Sequence, residues 1–303
     1  MNINITDPIF HNEEAAERHI FLSRWPDEEP TCPHCGSTKI RRMAGKTQAG
    51  MFLCNDCRDK FTVRTGTVME RSHVPLHKWL LATHLLASSK KGISASQIAR
   101  NIGVTYKTAW FLMHRIREAM DGALPSGPLG GAGKVVESDE AFVGGKKNRR
   151  LSGKVAPKKK IVALVERDGR ARSFHVANIH ANTVRSAIVT HVDRASTLMT
   201  DEARVYWAVG REFAAHGHSL HASRKFGKGE THSNTAENFF SILKRGVIGT
   251  YHHWSAAHIH RYLAEFNLRY SMKGNTDTER AASILKGMEG RRLTYRRIGQ
   301  LAA

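Results

Sequence analysis

The chain has 303 residues, 47 Lys and Arg against 27 Asp and Glu, and a formal net charge of +20. That length allows two or three domains with a sizeable core, and the charge favours a polyanionic partner through counterion release. No apolar run approaches the roughly 18 residues of a membrane span, and no amino-terminal signal pattern is present, so the sequence reads as a cytosolic chain with reduced thiols. Residues 1–30 hold two Lys or Arg against seven Asp or Glu, so the positive excess lies entirely after them.

Residues 12–25 have the spacing of a short amphipathic helix that Pro26 and Pro30 end. The chain's four cysteines follow as two C-x2-C pairs, Cys32/Cys35 and Cys54/Cys57, with eighteen residues between the pairs. Two such turns close a tetrahedral site for one structural Zn2+, and "GMFLCNDCRDKFTVRTGT" reads as the second hairpin of a zinc ribbon over residues 31–70. The alternative is two disulfides or four core thiols. Residues 73–120 then predict a helix with apolar Trp79, Leu80, Ala82, Leu85 and Leu86, broken at Gly92, and two further helices capped by Ser94 and Thr105. "NIGVT" between the last two has helix-turn-helix spacing around a small core of Ile98, Ala99, Ile102, Val104, Ala109 and Leu112. In that reading Tyr106, Lys107 and Thr108 open a DNA recognition helix; a plain helical pair is the alternative.

Five Gly and two Pro mark residues 121–133 as a linker. Residues 134–273 follow as a strand "KVVESDEAFVGG", a basic loop, two strands joined at Asp168-Gly169, a helix, the short strand "STLMTD", and two helices. The fold class expected is α+β and multidomain: zinc ribbon, helix-turn-helix, and a mixed sheet of the ribonuclease-H type with helices on its faces. Residues 274–303 are expected as a tail. Lys146, Lys147, Arg149, Arg150, Lys158, Lys159 and Lys160 in the basic loop suit phosphate contact without base reading.

Three acidic residues stand where metal-assisted phosphoryl transfer would need them. Asp139 and Asp201 end strands, where they would sit at the lip of a sheet, and Glu237 lies near the start of a helix. Each has an ordinary reading too: a turn acid beside Glu137 and Glu140, a helix cap at Asp201, and a capping box from Asn234 to Glu237. His216, His218 and His221 read as a polar loop rather than metal ligands, and Trp207 and Trp254 as packing residues.

Four segments carry a resemblance: "CPHCGS…FLCNDCRDKFTVRTGTVME", "VESDEAFVGGK", "LMTDEARVY" and "THSNTAENFFSILKRGVIGTYHHWSAAHIHRYLAEFNLRYSMK". In these the chain resembles bacterial insertion-sequence transposases of the DDE type with an amino-terminal zinc ribbon, the ISXO-like group. The resemblance implies a ribonuclease-H-like core with Asp139, Asp201 and an acidic third ligand, two Mg2+ (Mn2+ as an alternative), and DNA strand cleavage and transfer. Some relatives carry Asn as the third member, so Asn234 stands beside Glu237. Lys244, seven residues after Glu237 and on the same helix face, is expected near the cleaved phosphate, with Arg245 beside it on the DNA. The partners implied are the element's terminal repeats and target DNA, with a homo-oligomer assembled on them and no membrane. The runner-up is a non-enzymatic DNA-binding protein with a decayed core.

Overall fold

The computed structural model describes residues 3–45, 48–144, 158–219 and 232–294. The chain falls into two units, Met1–Leu124 with Gly274–Ala303, and Pro125–Lys273.

In the first unit, Asn12 caps α1 (Glu13–Arg24) by accepting from Ala15 N at 2.9 Å. Strands β1 (Ile40–Arg42), β2 (Phe52–Cys54) and β3 (Lys60–Phe61) form an antiparallel sheet in that order. Its small core is aromatic: Phe52 stacks on Phe61 and on Phe21 with centroids 5.3 and 5.8 Å apart, and Trp25 meets both strand rings. Helix α2 (Leu76–Ser88) has Pro75 at its cap position, which offers no side-chain acceptor. Glu13 of α1 serves instead, accepting from Leu76 N and His77 N at 2.8 and 3.2 Å. The helix stops at Ser88, before Gly92, and Leu85 is only half-buried. Ser94 and Thr105 cap α3 (Ala95–Ile102) and α4 (Tyr106–Ala123) as expected, and Gly103 between them takes φ +62°, the left-handed conformation glycine adopts without strain.

The second unit is a five-stranded sheet. Strands β4 (Val135–Val143), β5 (Lys159–Glu166), β6 (Ala171–Val176), β7 (Thr197–Asp201) and β8 (Ala215–Ser219) lie in the order β6-β5-β4-β7-β8. The β4-β5-β6 part is antiparallel, and β7 and β8 join β4 in parallel. The parallel joins need crossovers, supplied by α5 (Ala181–His191) before β7 and the short α6 (Trp207–Gly210) before β8. Residues within "IVALV" of β5 are buried, as befits a strand covered on both faces. Val136, Val162, Leu164 and Leu198 pack with Val184 and Ile188 of α5 on one face. Ala141, Val143, Ile161, Ala163 and Val165 pack on the other face. There they meet Phe239, Phe240 and Leu243 of α7 (Asn234–Gly246) and Leu263 and Phe266 of α8 (Ile259–Ser271).

Two segments differ from their sequence reading. Leu129, inside the Gly-rich stretch, is fully buried and bridges Val192, so that stretch is partly built into the second unit. The segment after residue 273, expected as a tail, carries α9 (Asp277–Lys286) with a Thr276/Glu279 capping box, packed on α2 and α4. Gly287 ends it so close to the α4 backbone at Ala119 that any side chain there would collide. Among the described residues no helix is long and apolar enough to cross a membrane.

Candidate metal sites and nucleic-acid surfaces

The four cysteine sulfurs lie within 4.8 Å of one another, with Cys32–Cys57 at 3.7 Å and Cys35–Cys54 at 3.6 Å. A disulfide would need about 2.05 Å. A tetrahedral Zn2+ with bonds of about 2.3 Å sets its sulfurs about 3.8 Å apart, so the donor set and its spacing fit zinc. Without the metal the thiols share their protons unequally: hydrogen bonding from the Cys57 N–H, with that of Asp56 adding, holds the Cys54 thiol down at about 6 against its burial, while Cys35 and Cys57 are pushed up. The cysteines are thus positioned for zinc.

Asp201 is the last residue of β7, but Asp139 does not end its strand as the sequence suggested: it lies in the middle of β4, which runs on to Val143 because Ala141 and Val143 continue the buried alternation. Glu137 of β4 pairs with Met199 of β7 in the parallel ladder. That is the last pair of the ladder; Asp139 follows it by two residues on β4 and Asp201 by two on β7, each on the same side of its strand as the paired residue. That side is the one α7 covers, since Ala141 and Val143 follow Asp139 at strand period into the α7 core. Asp201 Oδ1 also accepts from Ala203 N at 3.0 Å, so a cap-like turn and a lip position coexist. Glu237, Asn234, Lys244 and Arg245 are all exposed on α7. Asn234 is the first helical residue and Ser233 holds the cap position, so the Asn234–Glu237 capping box does not form. Among the described residues only the cysteines bring three or more metal-ligating groups within 4.8 Å; Asp139, Asp201 and Glu237 do not close to that spacing.

Two neighbouring acids to which the sequence reading gave no role are buried or partly buried and well partnered. Glu137 is fully buried, pairs with Arg167 Nε at 2.7 Å, and accepts from Thr235 N and Ala236 N at 2.8 and 2.9 Å. Its alternation with Asp139 and Ala141 on one face was the available signal, because a carboxylate at a core position must find partners. Glu140 accepts from the hydroxyl of buried Tyr206. Burial raises the Glu140 carboxyl above its usual range, and the charges of Asp201 and Asp139 add to the rise.

The histidine-rich stretch is the edge strand β8, not a loop. His216 Nε2 lies 3.0 Å from Thr200 Oγ1, and its ring fills the space beside Gly210, which accounts for it as packing; His221 lies outside the described residues. Trp254 is buried as expected, but Trp207 is 57% exposed with the Arg204 guanidinium 5.9 Å from its ring centroid. Tyr251 donates to buried Glu265 at 2.5 Å, a structural use of the hydroxyl.

Of the residues expected on DNA, Tyr106 and Lys107 are exposed at the start of α4, while Thr108 is half-buried with its N–H and hydroxyl engaged by Thr105. Lys158 is exposed, Lys159 and Lys160 are half-buried on β5, and Lys160 Nζ donates to Ala177 O at 3.0 Å. Lys146, Lys147, Arg149 and Arg150 lie outside the described residues.

The described residues combine a four-cysteine ribbon with a separate mixed α/β unit, and comparison with known families matches a domain to each. Residues 11–60 match the transposase zinc-ribbon domain, and residues 128–271 match the ISXO2-like transposase domain. Both matched domains are transposase domains, so the chain is similar to ISXO2-like transposases in its second unit and to transposase zinc ribbons near its start. It is similar along nearly its whole length to an uncharacterised protein in transposable element ISH50 of Halobacterium salinarum. The two are 27% identical over an alignment covering 91% of this chain and 97% of the relative.

Proposed function

We propose that the chain is a DDE-type DNA transposase that binds its element's ends, cleaves them, and joins the freed 3′ ends to target DNA. The observation that carries this reading is the parallel β4–β7 ladder, with Asp139 two residues past its last pair within β4 and Asp201 at the end of β7, on the face covered by α7. The strand order with its antiparallel β4-β5-β6 and parallel β4-β7-β8 supports a ribonuclease-H-like core. Two carboxylates side by side are hard oxygen donors suited to Mg2+ or Mn2+, and Glu237 on α7 would complete the set, with Asn234 the competing third ligand. Divalent ions held there would activate the attacking oxygen and stabilise the leaving one. Water attacks phosphorus at the element's end and the bond to the 3′ oxygen breaks. The resulting 3′-hydroxyl then attacks a target phosphodiester, whose own 3′ oxygen leaves. Lys244 would hold a phosphate near the cleaved bond, and no covalent bond to the protein is needed.

The ribbon and the α3-α4 pair would grip the element's ends, the pair as a helix-turn-helix with Tyr106 and Lys107 in the major groove. A homo-oligomer assembled on two ends would bring both to one target. The test is a strand-transfer assay with Mg2+ and the element's own terminal repeats: joined product supports the reading, while tight end binding without cleavage favours a decayed, purely DNA-binding protein. Two further outcomes are expected. Affinity for duplex DNA should fall by about 10³-fold or more between 50 and 200 mM salt, the scale for several phosphate contacts; a flat response in a filter-binding titration would assign the basic surface elsewhere. Lys107→Ala should cost about 1–3 kcal/mol on the preferred end sequence and little on random duplex, measured by competition binding.

A further inference from the structure

We propose that Glu137 is a positioning residue of the transfer site, fixing the first turn of α7 against β4 so that the third ligand is held near Asp139. This rests on the reading of Asp139, Asp201 and Glu237 given above. Helix α7 lacks a cap of its own, for Ser233 makes no side-chain cap hydrogen bond. Its orphan N–H groups at Thr235 and Ala236 are taken by Glu137 Oε2, at 2.8 and 2.9 Å, across 98 and 99 residues of sequence. A carboxylate at that end also complements the helix dipole. The other oxygen, Oε1, accepts from Arg167 Nε at 2.7 Å and lies 3.3 Å from His232 Nδ1. Arg167 Nη2 donates to His232 O at 2.8 Å, and Arg167 N donates to Val135 O at 3.0 Å. The residue leading into α7, the helix start and the root of β4 are thereby tied to one fully buried carboxylate.

The placement gives the anchor its consequence. Asp139 is two residues along β4 from Glu137 and on the same face. Asn234 and Glu237, the two contenders for third ligand, flank the two anchored amides in sequence. The helix start cannot slide along β4 or lift from it without breaking the Glu137 contacts. Catalysis by positioned groups is steep in distance, with a misplacement of about 1 Å costing about 10²-fold.

The experiment uses the full-length chain with Glu137→Ala and Glu137→Gln. The glutamine keeps the length and one oxygen able to accept both α7 amides, while its NH2 faces Arg167. For Glu137→Ala the end-cleavage rate at saturating DNA is expected to fall about 10²-fold with half-saturating DNA unchanged. Amide exchange should quicken at Thr235 and Ala236 while the amides of α8 stay protected. Glu137→Gln should keep those two amides protected and recover the rate to within about tenfold of native. A purely structural role would give a rate that follows the folded fraction, with α7 and α8 losing protection together; that result overturns the proposal. So does a folded Glu137→Ala chain that cleaves at the native rate. Should the alanine variant not fold, Glu137→Gln decides: protected amides with a 10²-fold rate loss would refute the anchoring role. Asp139→Asn separates the two readings. If it cleaves normally, the transfer site lies elsewhere and the positioning role falls with it, whereas the exchange pattern still reports the anchor.

Discussion

Asp139→Asn or Asp201→Asn is expected to lower both cleavage and joining by at least about 10³-fold while leaving affinity for the element's ends within about threefold. The amide keeps the shape and the local contacts: Asp139 Oδ1 accepts from Glu140 N, Asp201 Oδ1 accepts from Ala203 N, and an asparagine oxygen can accept both. What it removes is one negative charge on a donor that would face divalent cations, and a neutral amide is a poor substitute there. The side chains proposed for phosphate contact lie on other elements, so binding should persist. Glu237→Ala should behave like the aspartate variants and Asn234→Ala should be milder; the reverse order would make the amide the third ligand. Glu140→Gln makes a useful contrast. Its carboxyl is already pushed by burial toward the neutral form and hydrogen-bonded to Tyr206, so losing its charge should change the rate by less than about tenfold. Single-turnover cleavage of a labelled end duplex, paired with a gel shift on the same DNA, reads both quantities. An Asp201→Asn chain that cleaves at the native rate would end the two-carboxylate account.

Much of this arrangement was legible in the sequence because it rests on local rules. Asn12, Ser94 and Thr105 announce their helices by capping chemistry, and Asp168-Gly169 announces a hairpin, with Asp168 at φ +55°. The cysteine spacing declares the ribbon. Three features were hidden, each for a physical reason. Strand β8, "AHGHS", has no apolar alternation because it is an edge strand whose pairing to β7 is made by backbone. Helix α9 follows a polar stretch and packs on helices about 150 residues or more earlier in the chain, a contact that no local pattern encodes. The cap of α7 comes from Glu137 on a strand, so a search for Ser, Thr, Asp or Asn just before the helix finds Asn234 and Glu237 and misassigns them. The same non-locality governs the candidate site. The sequence suggested two strand ends, whereas Asp139 lies within β4, and it is the non-local parallel ladder that brings β4 and β7 together.

Cys54→Ser, or prolonged chelation under reducing conditions, is expected to unfold the ribbon, lower end affinity by at least about tenfold, and leave the second unit folded. The ribbon's strands are two and three residues long, and its core is little more than Phe21, Trp25, Phe52 and Phe61. So small a sheet does not hold itself together in water without a staple, and among the described residues the cross-link on offer is a metal held by four sulfurs. The second unit owes nothing to that metal. Its sheet is filled on both faces by α5, α7 and α8, so its amides should stay protected in exchange when those of Phe52, Leu53 and Cys54 do not. Native protein should carry one zinc per chain. Acid should release it, because all four ligands must be thiolates and protons compete with the metal for each of them as pH falls. Metal analysis across a pH series, read alongside exchange in both units, checks the whole chain of argument. Protein purified under reducing conditions with no zinc and an intact ribbon would refute it, and simultaneous loss of both units on Cys54→Ser would refute their independence.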